Sequence, residues 1–199
     1  VNAAGIMPPV SVIMPSIQVF AHAVLRPWRR SEMKKYLIFS VIALFVLILD
    51  QFTKFYFEHN YALGQFNVLI ENHLYLTHVR NPGAAFGILA DSPWRLPFFL
   101  TVALIAVVGI LWYLRTMPVT AKGMHLSLGL IFGGAIGNVI DRIRLGEVVD
   151  FIGVHWYQYH WPAFNVADSA ISVGVAILLI VSLQEELALR RQRKAEHRD

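Results

Sequence analysis

The stretch WPAFNVADSAISVGVAILLIVSLQ, residues 161–184, decides how the rest of the chain is read. It is apolar over a length that suits a bilayer, yet its mouth holds Asn165 and Asp168. A carboxylate there is costly in hydrocarbon and needs a reason. Capping is one, because acceptors at a helix start satisfy free N–H groups and complement the dipole. Chemistry is the other, and the choice depends on what else the fold brings to that level.

Three more segments read the same way. Residues 36–57, 96–114 and 124–142, together with 167–189, are each near the roughly 17–25 residues that cross a hydrocarbon core as helix. Of the 199 residues 56% are hydrophobic and 15% charged, and mean hydropathy is +0.54, above that of a water-soluble domain. The polar faces that a soluble helical bundle needs are nearly absent. The expected fold class is therefore an all-α membrane protein with four transmembrane helices, the short third one ending at the interface. The chain has no cysteine, which excludes a disulfide and a thiol nucleophile.

Orientation follows from the basic residues. Arg26, Arg29, Arg30, Lys34 and Lys35 precede the first span, and Arg115 and Lys122 lie between the second and third. Arg190, Arg191, Arg193, Lys194 and Arg198 follow the fourth. Most of the 17 lysines and arginines thus share one side, which the positive-inside rule assigns to the cytoplasm together with both termini. The net charge of +4 then reflects topology and inner-leaflet anchoring, and no nucleic-acid partner is expected. In residues 1–33 an apolar run is broken by Pro8, Pro9 and Pro15 and precedes its basic cluster, the reverse of a secretory signal. The expectation is a poorly ordered or dispensable extension, with an interfacial helix as the less favoured reading. Residues 34–190 would form the membrane domain and 191–199 a basic cytoplasmic tail.

On this topology the rare polar residues fall at one end. Span one closes with LDQFTKFYF, where Asp50 and Lys54 stand four apart, acid first. Span three closes with GNVIDRIR, carrying Asn138, Asp141 and Arg142, and Asp150 lies in the connecting GEVVDFIGV. Intramembrane ionisable groups usually face the interior or a wet cavity. For Asp168 alone capping would win; convergence of three helices and a loop favours chemistry.

The segments between the spans carry weaker signals. Two β-prone runs around Glu71 and Asn72 predict a small hairpin or cradle within residues 60–90, and Asn81-Pro82-Gly83 reads as a turn. Residues 143–166 are expected as an outer loop whose Trp156, Tyr157, Tyr159 and Trp161 suit the headgroup region. Gly129, Gly133 and Gly137 recur every four residues and predict close helix packing. His155 and His160 match no zinc-helix spacing and read as interfacial. No serine stands out as partner for a Ser–Lys dyad with Lys54, and Asp141–Arg142 reads as a structural ion pair or network element.

Several aspartates at a membrane surface suit one chemistry well. Two close carboxyls cannot both ionise cheaply, so they share a proton. One then acts as base on a water while the other, protonated, polarises a carbonyl and later assists the leaving amine. That is peptide hydrolysis, and it needs no cofactor and no metal. A small proton- or ion-coupled transporter is the alternative, although such proteins favour midplane sites in interrupted, repeated helices. A structural assembly factor is a third reading, and it would tolerate loss of either aspartate.

The ordered motifs LDQFTK, RNPGAAFGIL, GGAIGNVIDRI, EVVDF and FNVADSAI resemble those of the lipoprotein signal peptidase (signal peptidase II) family over about residues 34–190. The resemblance implies four transmembrane helices, an extracytoplasmic β-cradle and an aspartyl dyad of Asp150 and Asp168. Asp50, Asn81, Asn138, Arg142 and Asn165 match the family's other polar positions, with Asp141 in support. It also implies a place in the bacterial cytoplasmic (inner) membrane with the site at the outer face. The implied substrate is a diacylglyceryl-modified prolipoprotein held among membrane lipids and cut before its lipidated cysteine.

Overall fold

The computed structural model describes residues 30–83 and 88–196. Four helices, α1 (Arg30–Asn60), α2 (Arg95–Thr116), α3 (Lys122–Leu145) and α4 (Val166–Glu196), are long and apolar enough to cross a membrane. Hydrocarbon offers backbone N–H and C=O groups no outside partner, so long apolar runs close their own hydrogen bonds as helix. The chain is a multi-pass membrane protein. Each helix runs past its expected span, and the last one, α4, continues unbroken to Glu196, through most of the basic segment 191–199. Of the expected extension, residues 1–29 lie outside the described residues, and 30–33 belong to α1.

Helix α3 is the centre of the bundle, packed extensively against α1 and α4 and less so against α2. Its glycines explain the close approach. A Cβ on Gly133 would sit 2.6 Å from the Ala43 carbonyl oxygen, and one on Gly129 2.9 Å from that of Phe39. Gly134 gives α4 the same access, its Cβ position being 2.5 Å from the Ala167 carbonyl oxygen, while Gly137 makes room for the Asp50 carboxylate. Away from that carboxylate, Phe39, Ile110, Leu114 and Leu128 form a buried apolar cluster.

At the other end lies an antiparallel sheet of four strands in the order β1 (Phe66–Ile70), β2 (Leu74–Asn81), β3 (Val148–Trp156), β4 (Tyr159–Phe164). The first hairpin forms where the β-prone runs predict it, turning through Asn72 at φ 60°, a left-handed conformation that asparagine tolerates. The second hairpin is a correction. Residues 143–166, expected as a loop, hold the end of α3 and two strands. The first four residues of β3 are all buried, so they lack the in–out alternation that marks a half-exposed strand. Gly146, at φ 74°, ends α3 by donating its N–H to the Arg142 carbonyl at 3.0 Å and turns the chain into β3. Phe151 of β3 stacks on Phe57 of α1 with ring centroids 4.4 Å apart, tying sheet to bundle.

Candidate active site

The site is built on the first turn of α4. Asn165 is its cap: Oδ1 accepts the Asp168 N–H at 2.9 Å, and Asp168 Oδ2 accepts the Asn165 N–H at 3.2 Å, a reciprocal arrangement. Asp50 reaches across from α1 to accept the Ala167 N–H at 2.9 Å. Capping is therefore real, and three residues share it. It does not use everything. Asp168 Oδ1 accepts a second hydrogen bond, from Asn138 Nδ2 at 2.8 Å, and Asn165 Nδ2 donates to Asp150 Oδ1 at 2.7 Å. One asparagine thus touches both aspartates.

Asp150 reaches this point through the sheet. The β2–β3 register shifts between Leu76 and Val79, and Val79 then pairs with Asp150. Such a bulge re-aims the side chains beside it. Two pairs further along, Asn81 turns its Nδ2 to Asp150 Oδ2 at 3.0 Å while its Oδ1 accepts the Gly83 N–H at 3.0 Å, within the turn that Asn81-Pro82-Gly83 predicts. Asp150 is 2% exposed. Burial first, and then the negative charge of Asp168, push its carboxyl up to about 7, against the pull of the Asn81 hydrogen bond, the Lys54 charge and the Asn165 hydrogen bond.

Behind the two aspartates lies a buried ionic cluster. Lys54 Nζ is 2.9 Å from Asp50 Oδ2, 2.9 Å from Asp141 Oδ2 and 2.8 Å from Asn138 Oδ1, with Lys54 and both carboxylates fully buried. The three ammonium hydrogens are spent, which leaves no place for a serine partner. Asp141 Oδ2 also accepts the Val149 N–H at 3.2 Å, next to Asp150, and Gln51 Nε2 lies 3.2 Å from oxygens of Asp50, Asp141 and Gly137. Asp141 is a network element as expected, but Arg142 turns elsewhere. Its guanidinium donates to the Gly83 carbonyl at 3.2 Å and lies 4.5 Å from the Phe99 ring centroid, coupled through space to Asp168, Asp150 and Asp141.

All eight residues singled out from sequence meet at the sheet-bearing end. Asn81, Asn138 and Asn165 touch the Asp150 or Asp168 carboxylates directly, Asp50 and Asp141 stand one step behind, and Arg142 borders the group. Sequence reading missed Gln51, although a polar side chain inside an apolar helix was its signal. It also missed Glu58, which accepts from Arg80 and Arg144 at 2.9 Å each and joins α1, β2 and α3. These partners are too distant in sequence to show a pattern. His155 and His160 stack at the tip of the β3–β4 hairpin with ring centroids 5.2 Å apart.

Fold and site together define a polytopic membrane protein whose rare carboxylates converge at one end of a helix bundle, beneath a small sheet. Residues 42–184 match the family model described as signal peptidase (SPase) II, and the chain belongs to that family. It is 46% identical over 154 residues to a lipoprotein signal peptidase of Syntrophotalea carbinolica, covering 77% of this chain and 96% of that one. It is 48% identical over 151 residues to a lipoprotein signal peptidase of Geobacter sulfurreducens, covering 76% and 94%. A solved structure described as a bacterial membrane enzyme matches with TM-score 0.67 at 35% identity, over 73% of this chain and 87% of its own.

Proposed function

We propose that this chain removes signal peptides from diacylglyceryl-modified prolipoproteins, cutting on the amino side of the lipidated cysteine, with Asp150 and Asp168 as a proton-sharing dyad. Membership of the signal peptidase II family and relatives named lipoprotein signal peptidases support a prolipoprotein-cleaving protease; the transporter alternative finds no support in them. The observation that carries the dyad is the pair of carboxylates that accept from one asparagine, Asp150 from the Asn165 side-chain amide and Asp168 from its backbone N–H, with Asp150 holding its proton to about pH 7.

The chemistry then divides by environment. Asp150, buried and protonated, donates to the scissile carbonyl oxygen. Asp168, at the positive end of the α4 dipole, takes a proton from the attacking water. The tetrahedral intermediate collapses as Asp168 passes that proton to the cysteine nitrogen. The C–N bond breaks, and Asp150 recovers its proton as the carbonyl re-forms.

The basic residues at the opposite end support a site at the outer face of the bacterial inner membrane, both termini being cytoplasmic. Acyl chains of the substrate then remain among lipids. Each buried methylene is worth about 0.8 kcal/mol, and part of that is realised in the membrane already, so the lipid's main contribution is to position the scissile bond. The N-terminal extension is dispensable in this reading, and deletion of the chain up to Glu32 is expected to preserve insertion and cleavage.

The test is mass spectrometry of products from purified protein in lipid. Diacylated and unlipidated precursors are compared at equal surface concentration, alongside Asp150→Asn and Asp168→Asn. Cleavage of the lipidated precursor alone, lost in both variants, is expected. Equal rates on the two precursors would end the lipid-reading model, and turnover by either variant would end the dyad.

A further inference from the structure

The dyad depends on three asparagine amides that must each present an NH2 group to a carboxylate, and an amide can turn over. Backbone N–H groups fix two of them: the Gly83 N–H meets Asn81 Oδ1, and the Asp168 N–H meets Asn165 Oδ1. Asn138 is different. Its Oδ1 is met by side chains, Lys54 Nζ at 2.8 Å and Asn165 Nδ2 at 3.2 Å.

We propose that Lys54 is a positioning residue for the dyad, locking the Asn138 amide so that its NH2 group faces Asp168. An ammonium group has no acceptor lone pair, so only the amide oxygen can face it. The planar amide then directs Nδ2 away from Lys54, where it donates to Asp168 Oδ1 at 2.8 Å. Lys54 is itself held by Asp50 from its own helix and Asp141 from α3, so its ammonium cannot drift. The chain of donation runs one way, from Lys54 through Asn138 to Asp168. With Asp168 Oδ2 occupied by the Asn165 N–H, both oxygens of the proposed base are oriented before substrate arrives. A turned amide would set oxygen against carboxylate and swing Asp168 out of line.

This inference rests on the dyad reading, so its test includes Asp168→Asn as the marker for that reading. Lys54→Met removes the donor while keeping the length of the side chain. The expected result is a kcat lower by about 10- to 100-fold with KM little changed, the effect of losing a group that orients a catalytic one. Asn138→Asp covers the case in which Lys54→Met fails to insert, because the new carboxyl still offers an oxygen to Lys54. It can donate to Asp168 only when protonated, so its pH–rate profile shifts toward acid, a change that a merely structural role would not produce. A folded Lys54→Met protein with unaltered kcat, or an unshifted profile for Asn138→Asp, overturns the proposal while an inactive Asp168→Asn leaves the dyad standing. Turnover by Asp168→Asn overturns both.

Discussion

Helix α1 buries two lysines, one near each end, and they are held by different partners. Lys35, 1% exposed, donates to the carbonyls of Arg115 and Met117 at 3.2 and 2.9 Å, at the C-terminus of α2. Those carbonyls lack intrahelical partners, and a cation suits the negative end of a helix. The buried apolar cluster of Phe39, Ile110, Leu114 and Leu128 lies at this end of the bundle. Lys54, at the sheet end, meets two carboxylates and an amide that leads to Asp168. Burial of a charge therefore says little about role. A lysine on backbone carbonyls finishes a helix end; a lysine among carboxylates is tied to whatever those carboxylates do.

The largest expected effect tests the sheet end alone. Asp150→Asn and Asp168→Asn each abolish cleavage while leaving insertion intact. The double variant is little worse than either, because groups acting as a unit are not additive. At the far end, Lys35→Met lowers the melting temperature but keeps cleavage within a few-fold of the parent. A loss at Lys35 comparable to that at Asp150 would erase the contrast between the two ends.

A second expectation concerns stability and pH. Folded, Asp150 holds its proton to about 7; the ordinary value is 3.8. Between those values the folded state carries a proton that the unfolded chain has lost, so stability falls as pH rises from about 4 to about 7. The destabilisation is at most on the order of 4 kcal/mol above that window. Asp150→Asn removes the dependence, so its gain in melting temperature is largest near pH 8 and vanishes toward pH 4. A gain that does not vary with pH would show that Asp150 is not the group responsible.

Packing separates α3 from α2 on a smaller scale. Gly133→Ala places a methyl group against the Ala43 backbone of α1 and costs about 1–3 kcal/mol of stability. Gly109→Ala on α2 meets nothing within 4 Å and is close to neutral. Thermal unfolding of the two variants in one detergent decides this, and equal losses would contradict the central place of α3.

The smallest effect is a displaced pH limb. In the proposed mechanism Asp150 acts protonated, so kcat/KM is expected to fall as pH rises through about 7. Asn81→Ala deletes a hydrogen bond that holds the Asp150 carboxyl down, so the limb moves to higher pH while the cleavage point is unchanged. A limb that moves down, or a new cleavage point, would assign Asn81 another part.

Much of this molecule is legible in one dimension. Four apolar runs must be helices wherever hydrocarbon withholds hydrogen-bond partners, and the spacing of Asp50 and Lys54 already pairs them on one helix face. The glycine repeat marks a close contact, and the polar residues at matching span ends foretell one cluster. What the linear pattern could not decide is who meets whom within it. The β3–β4 hairpin joins a strand pair more than sixty residues earlier through ladder hydrogen bonds that leave no local mark. The bulge that aims Asp150 depends on a register between two distant strands. Lys54 finds Asp141 and Asn138 only because glycines let α3 lie against α1, and Asn165 bridges the two aspartates only because α4 begins where β3 passes. Periodicity and hydropathy are sums over neighbours in the chain. A hydrogen bond between distant residues is set by three-dimensional packing, so only the tertiary structure could decide it.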